Sequence, residues 1–363
     1  MDGTSHSQWA VNGSVNCSPE SYGTAAVDNC TSSSSYGDDG DWAEQKDWGG
    51  IVAGLFLLIV CVMGLAGNSL VIFVILRYAK MKTVTNSYIL NLAVADDLFM
   101  IALVFLSAAT LAGNSWIFGP VMCHVVYAID GLNMFTSVYC LTAMSMDRYV
   151  AVCHARRVRG YRTLRLATGV NVGIWLLALA AASPMNIVTR YDRREMTCRL
   201  DFRAVFGDDA RAVDLTQKLF IIYSFLMGFL IPLLIICVCY SSIVVRLRRI
   251  GARTGKMKKS RKVNRLVFFV VLAFFMCWWP FYVWRTIIVF MPSIPQSWPS
   301  SILVSDFTMC LSYLNSCANP LLYGFLSGNF KKSFKKAWSC AAEEANNLPA
   351  RPTVAGHSPA QPM

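Results

Sequence analysis

Charge is scarce in this chain. Asp, Glu, Lys and Arg make up 15% of its 363 residues while 55% are apolar, too little polar surface to clothe one or two soluble domains of this size. The apolar stretches lack the strict two-residue alternation of barrel strands, which excludes a transmembrane β-barrel. No nucleophile and base stand in a recognisable pairing, so no hydrolytic or transfer chemistry is expected and the chain is not read as an enzyme. Internal repeats and matched broken half-helices are also missing, which leaves a seven-span transporter or channel as a remote alternative. The first 47 residues hold no apolar core, so no cleavable signal peptide is expected among them.

What the sequence does hold is seven long apolar stretches, near 51–76, 88–111, 117–146, 166–188, 219–240, 266–290 and 302–326. Each approaches or exceeds the roughly 20 helical residues that cross a hydrocarbon core of about 30 Å. Unpaired peptide groups in lipid cost several kcal/mol each, so each stretch is expected to be a helix. The expected fold is therefore all-α, a membrane-embedded bundle of seven transmembrane helices over 49–326. Residues 1–48, rich in Ser, Gly and Asn, read as a disordered tail, as do residues 341–363 at the other end.

Basic residues cluster after alternate stretches. Arg77, Lys80 and Lys82 follow the first; Arg156, Arg157, Arg159, Arg162 and Arg165 follow the third; ten Lys or Arg and no acid lie between Arg246 and Arg265; Lys331, Lys332, Lys335 and Lys336 follow the seventh. An excess of bases marks the cytoplasmic side, which puts the amino terminus outside and the carboxyl terminus inside. The leading tail, with eight Asp or Glu against Lys46 alone, agrees: Asn12, Asn16 and Asn29 each open a glycan acceptor triplet, useful only in a lumenal segment. The net charge of +12 then reports topology and attraction to anionic inner-leaflet lipid, and nucleic acid is discounted as a partner.

Most of the 13 cysteines lie within the apolar stretches, where thiols behave as small apolar side chains. Cys123, near the outer end of the third span, and Cys198, in the long outer loop 189–218, share an oxidising compartment and are expected to form a disulfide. Cys17 and Cys30 stand in the leading tail, where sequence does not decide their pairing. Cys340, beyond the last basic segment, is either a lipidation site or a free thiol.

Ionisable residues inside spans are functional candidates, because burying charge in lipid is expensive. Asp130 lies two helical turns after Cys123, roughly 10 Å deeper than the outer rim. It can receive a ligand cation, pair internally with Arg285, or be held by Tyr313. Asp96, in the second span, is expected among Asn68, Asn133, Ser137, Asn315 and Asn319, which suits either a small hard cation such as Na⁺ with water or a polar network that only packs helices. At the inner end of span three stands Asp147-Arg148-Tyr149; Asp130 and Arg148 are separated by about 27 Å of one helix. Arg148 held by Asp147 in one state and released to a partner in another would make a two-state switch.

Pro280, after Cys277-Trp278-Trp279, and Pro320, within Asn319-Pro320-Leu321-Leu322-Tyr323, each remove a backbone hydrogen bond and kink their helices, as hinges or as fixed shape. Pro184 and Pro232 are similar. Phe330, Phe334 and Trp338 recur every four residues among lysines, the stripe of a short amphipathic helix lying in the membrane interface over 327–340.

These residues resemble the rhodopsin-type family of G-protein-coupled receptors over about 49–340. The likeness rests on Gly67-Asn68, Leu92-Ala93-Val94-Ala95-Asp96, Cys123, Asp147-Arg148-Tyr149, Trp175, Pro232, Cys277-Trp278-Trp279-Pro280 and Asn319-Pro320-Leu321-Leu322-Tyr323, all in order. The runs 78–86, 130–137 and 315–320 are similar to somatostatin receptors, with the allatostatin-C receptors and, more distantly, the opioid receptors in the same circle. That resemblance implies a plasma-membrane receptor for a compact basic neuropeptide whose Lys pairs with Asp130, in a pocket shared by Trp278, Phe281, Tyr282, Arg285 and Tyr313. It also implies coupling to inhibitory Gi/o proteins through Asp147, Arg148, Tyr149, Asn319, Pro320 and Tyr323, an arrestin partner, and an allosteric sodium ion as the only cofactor, held at Asp96, Asn133, Ser137 and Asn315. Arg285 departs from the glutamine of somatostatin receptors and would pair with Asp130 or demand an acidic or carbonyl-rich contact on the ligand. The alternative is a biogenic-amine receptor of the same fold, in which Asp130, Tyr313, Phe281 and Ser224 serve an ammonium, a ring and a hydroxyl.

Overall fold

Residues 48–158, 160–207, 209–254, 258–291 and 299–346 are described by a computed structural model. The glycan triplets at Asn12, Asn16 and Asn29, and Cys17 with Cys30, lie outside the described residues. Long helices dominate: α1 (Trp48–Arg77), α2 (Val84–Leu111), α3 (Gly119–Cys153) and, after the single turn α4 (Ala155–Val158), α5 (Leu164–Val188). A hairpin follows, β1 (Thr189–Asp192) antiparallel to β2 (Thr197–Leu200), then α6 (Arg203–Phe206) and α7 (Ala210–Phe225). A π-helical segment, Leu226–Leu230, joins α7 to α8 (Ile231–Thr254); α9 (Lys258–Phe290), α10 (Pro299–Leu326) and α11 (Gly328–Asn346) complete the order.

Helix starts are set by short polar caps. Thr83 accepts the Asn86 N–H at the head of α2, Thr163 the Leu166 N–H at the head of α5, and Asp209 those of Arg211 and Ala212 at the head of α7. The Asp209 cap corrects one expectation. The outer loop ends there, and 210–218, read from its charge as loop, forms the first turns of the fifth span. The π segment stands directly before Pro232, whose missing N–H and ring disturb the i−4 bonding that a regular helix would need at that point.

α3 is the central rod, packed on α2, α5, α8 and α9, while α1 closes the ring against α2 and α10. Side chains are distributed in the reverse of a water-soluble globule. Phe325 is 82% exposed and Val238 66%, whereas Asn68, Asp96, Thr136 and Ser145 are fully buried. Large apolar groups turned outward over whole helices require a lipid solvent. Among the described residues six spans are apolar enough to cross a bilayer by composition alone. α10 is the seventh long helix, diluted by Ser301, Thr308, Ser312, Asn315, Ser316 and Asn319, all of which it buries in the bundle.

Close backbone approach is written into two glycines. A Cβ on Gly67 of α1 would stand 2.9 Å from the ring of Pro320 on α10, and one on Gly228 of the π segment 2.5 Å from the Tyr282 hydroxyl of α9. At the far end α11 packs back on α10 by stacking Phe330 on Tyr323, ring centroids 5.6 Å apart. It continues past the aromatic stripe to Asn346.

Candidate functional site

The Cys123–Cys198 disulfide ties β2 to the first turns of α3, with Cα atoms 5.7 Å apart. Trp116 adds a second tie. Its backbone N–H donates to the Met196 carbonyl and its indole to the Gly119 carbonyl at 2.9 Å, so the hairpin is fixed over the end of the bundle. Asp192 shapes the hairpin turn by accepting the backbone N–H groups of Arg194 and Glu195, which hold its carboxyl below the usual range.

Beside the hairpin lies a cavity of about 510 Å³ lined by Asp130, Trp278, Phe281, Tyr282, Arg285 and Tyr313, the six residues singled out for a ligand. Asp130 is half-buried, and the Tyr313 hydroxyl faces its carboxylate. Among the described residues no Lys or Arg lies within the 4.0 Å of an ion pair with it, so the internal pairing with Arg285 is not made. Trp278 forms part of the lining with its indole N–H buried and unpartnered, edge-on to Phe281 at 5.7 Å. Tyr282 donates to the Ser224 carbonyl at 3.2 Å, an acceptor set beside the π segment. Ser224 spends its own hydroxyl on the Phe220 carbonyl.

Deeper in the bundle, Asp96 is fully buried. Asn319 donates to its Oδ2 at 2.9 Å; Ser137 Oγ lies 3.5 Å from Oδ1 and donates to Asn133 Oδ1 at 2.7 Å. Asn133 in turn reaches Ser316, which also touches the carboxylate. Asn68 donates to the Ser316 carbonyl and leaves its own carbonyl oxygen buried without a partner. Asn315, expected here, is buried on α10 but makes no hydrogen bond to Asp96. Ser316, the next residue and about 100° further around the helix, is the one that meets the carboxylate.

At the opposite end of α3, Asp147 is bound by Arg162 and not by its neighbour Arg148. The guanidinium takes both carboxylate oxygens at 2.7 Å, and the carboxylate holds it charged above the ordinary arginine range. Arg148 instead reaches Thr85 at the head of α2, with Nε buried and unpartnered. Thr85 receives Arg162 as well and donates to Asp147, so it is the hub of the group. Tyr149 packs on His154 at 5.3 Å, and Asn319, Pro320 and Tyr323 lie on α10, with Tyr323 fully buried and its hydroxyl unpartnered. The thiol of Cys340 is outside the described side chains.

Sequence reasoning missed Tyr127, which lines the cavity and donates its hydroxyl to the Cys198 carbonyl at 3.2 Å, together with Thr85, Arg162 and Ser316. Tyr127 had a signal: it lies one turn before Asp130 and so shares its face. Arg162 had none, because its approach depends on the path of the chain between α4 and α5.

The comparisons with known proteins agree with this geometry. The model of the family described as 7 transmembrane receptor (rhodopsin family) matches residues 67–323. Somatostatin receptor type 4 of Rattus norvegicus is 46% identical over 287 residues, 77% of this chain and 70% of that protein. Somatostatin receptor type 5 of Bos taurus is 44% identical over 310 residues, 83% and 82% of the two chains, and somatostatin receptor type 2 of Mus musculus 46% over 283 residues, 76% and 74%. With its multi-pass bundle, its tethered hairpin and a match of this extent, the chain belongs to the rhodopsin family of seven-transmembrane receptors and is closely related to the somatostatin receptors.

Proposed function

We propose that this chain is a plasma-membrane receptor for a compact basic neuropeptide, whose ammonium is received by Asp130, and that it signals to a heterotrimeric G protein of the inhibitory Gi/o class at the Asp147 end. The observation that carries the reading is a carboxylate opening on a 510 Å³ cavity with no cationic side chain at ion-pair distance among the described residues. Such a group demands a cation, and the somatostatin receptors named above carry a peptide ligand in their names. The cavity suits a few side chains of a peptide better than its whole body. The hairpin beside it, with Arg190, Arg193, Arg194, Arg199, Asp192 and Glu195, offers a charged rim for the remainder. A biogenic amine would leave that rim unused.

The bases support an orientation with the Asp147 end in the cytoplasm and the disulfide outside, since Arg77, Lys80, Lys82 and Arg165 flank the helix ends on that side. An arrestin would dock on the same inner face, and the α11 lysines would meet anionic lipid. A sodium ion fits the buried Asp96, since Ser137 and Asn133 offer uncharged oxygens and the orphaned Asn68 carbonyl oxygen is an acceptor in want of a donor. Asp96, Ser137 and Asn133 would hold it, and the ion would supply a positive charge that the buried carboxylate otherwise lacks.

The test is a screen of Lys-bearing cyclic peptides on cells expressing the full chain, read by inhibition of cyclic AMP. A peptide active at nanomolar concentration, and inactive on Asp130→Asn at equal surface expression, supports the reading. Potency unchanged by Asp130→Asn removes Asp130 from the ligand role.

A further inference from the structure

Two opposite charges line the ligand cavity without neutralising each other. Arg285 stands on α9 seven residues after Trp278, two turns along the same helix face, roughly 10 Å nearer the disulfide end. No carboxylate among the described residues lies within 4.0 Å of it. Its guanidinium rests 5.8 Å from the centre of the Phe281 ring, within electrostatic reach of the Tyr127 and Tyr313 hydroxyls, the same two phenols that neighbour Asp130. Asp306, the other carboxylate on the cavity wall, has contacts of its own.

A guanidinium keeps its proton and presents five donors in a planar fork. Half-buried over an aromatic ring, it has no carboxylate partner among the described residues, and a carboxylate is the bidentate acceptor its shape fits best. Asp130 cannot serve, being out of range and turned to Tyr313. We infer that Arg285 receives a carboxylate of the ligand, so that the pocket selects peptides bearing both an ammonium for Asp130 and an anionic group for Arg285. This rests on the reading of the cavity as a peptide site. The carboxylate can be the peptide's free C-terminus or an Asp or Glu side chain.

Matched cyclic peptides separate these sources. Each carries one Lys and is made with a free C-terminal acid or an amide, and with Glu or Gln at an adjacent position. They are assayed for G-protein activation on cells expressing the full chain, Arg285→Gln, Arg285→Lys and Asp130→Asn, with surface expression measured for each. In one of the two pairs the acid form is expected to be at least about tenfold more potent than its neutral twin on the natural chain, the weight of a charge-assisted bond. Arg285→Gln should bring that ratio near one, while Arg285→Lys retains part of it. Equal potency of acid and neutral forms in both pairs, with Asp130→Asn still abolishing the response, overturns the Arg285 assignment alone; so does an acid preference that survives Arg285→Gln. A chain that no Lys-bearing peptide activates, or that responds equally with Asp130→Asn, contradicts the peptide reading and this inference with it.

Discussion

Arg162 clamps Asp147 through two parallel contacts of 2.7 Å, across a loop, while the adjacent Arg148 turns away to Thr85 on α2. Asp147 is only 8% exposed and Arg162 33%, so solvent screens one side of the pair. The knot joins α2, α3 and the α4–α5 loop, and it keeps Arg148 inside the bundle. Loosening it should free Arg148 toward a partner. With the exposed side discounted, the pair is worth about 1 kcal/mol, roughly fivefold in a two-state equilibrium. Arg162→Ala is therefore expected to raise ligand-independent nucleotide exchange about fivefold; unchanged or lower basal exchange in membranes would refute the clamp. Arg148→Ala should instead depress exchange while sparing ligand binding.

The disulfide joins residues 75 positions apart. In the chain-entropy model such a cross-link is worth about 4 kcal/mol. Cys198→Ser should lower the Tm of the detergent-solubilised receptor by several degrees and weaken ligand response, because the β1–β2 hairpin loses its anchor beside the cavity. A melting curve that matches the natural chain would show that Trp116 alone holds the hairpin.

Gly67 faces Pro320 with no room for a methyl. Gly67→Ala should cost about 1–3 kcal/mol by overpacking against Pro320 of α10. The expected readout is a lower Tm with the ligand end of the bundle untouched: the Cys123–Cys198 bond still formed and Asp130 still accessible. An unshifted Tm would mean that α1 and α10 part easily there.

Sodium is predicted to act through Asp96. Agonist affinity measured in NaCl against an equal concentration of a bulky organic chloride should be lower in sodium on the natural chain and equal in both on Asp96→Asn. A sodium effect that persists in the variant would remove the ion from this site.

How far the sequence foretells these features depends on the distance over which each is decided. The spans, the Cys123–Cys198 pairing and the cavity position of Asp130 follow from composition, compartment and helical pitch, all local quantities. The exchange of Asn315 for Ser316 beside Asp96 is a matter of about 100° of helix rotation, finer than a depth argument can resolve. The early start of α7 turned on one cap, Asp209, set among charges that read as loop. Arg162 meets Asp147 only because the chain between α4 and α5 folds back on the end of α3, a path that no periodicity encodes.

The most direct test of the central claim is a double-mutant cycle between receptor and ligand, using the most potent Lys-bearing peptide from the screen and its Lys→norleucine twin on the natural chain and on Asp130→Asn. If Asp130 receives the ammonium, the Lys peptide should lose about 100-fold on Asp130→Asn, while the norleucine peptide is equally weak on both, a coupling of about 2.7 kcal/mol. Additive losses, with no coupling between the two changes, would contradict the account.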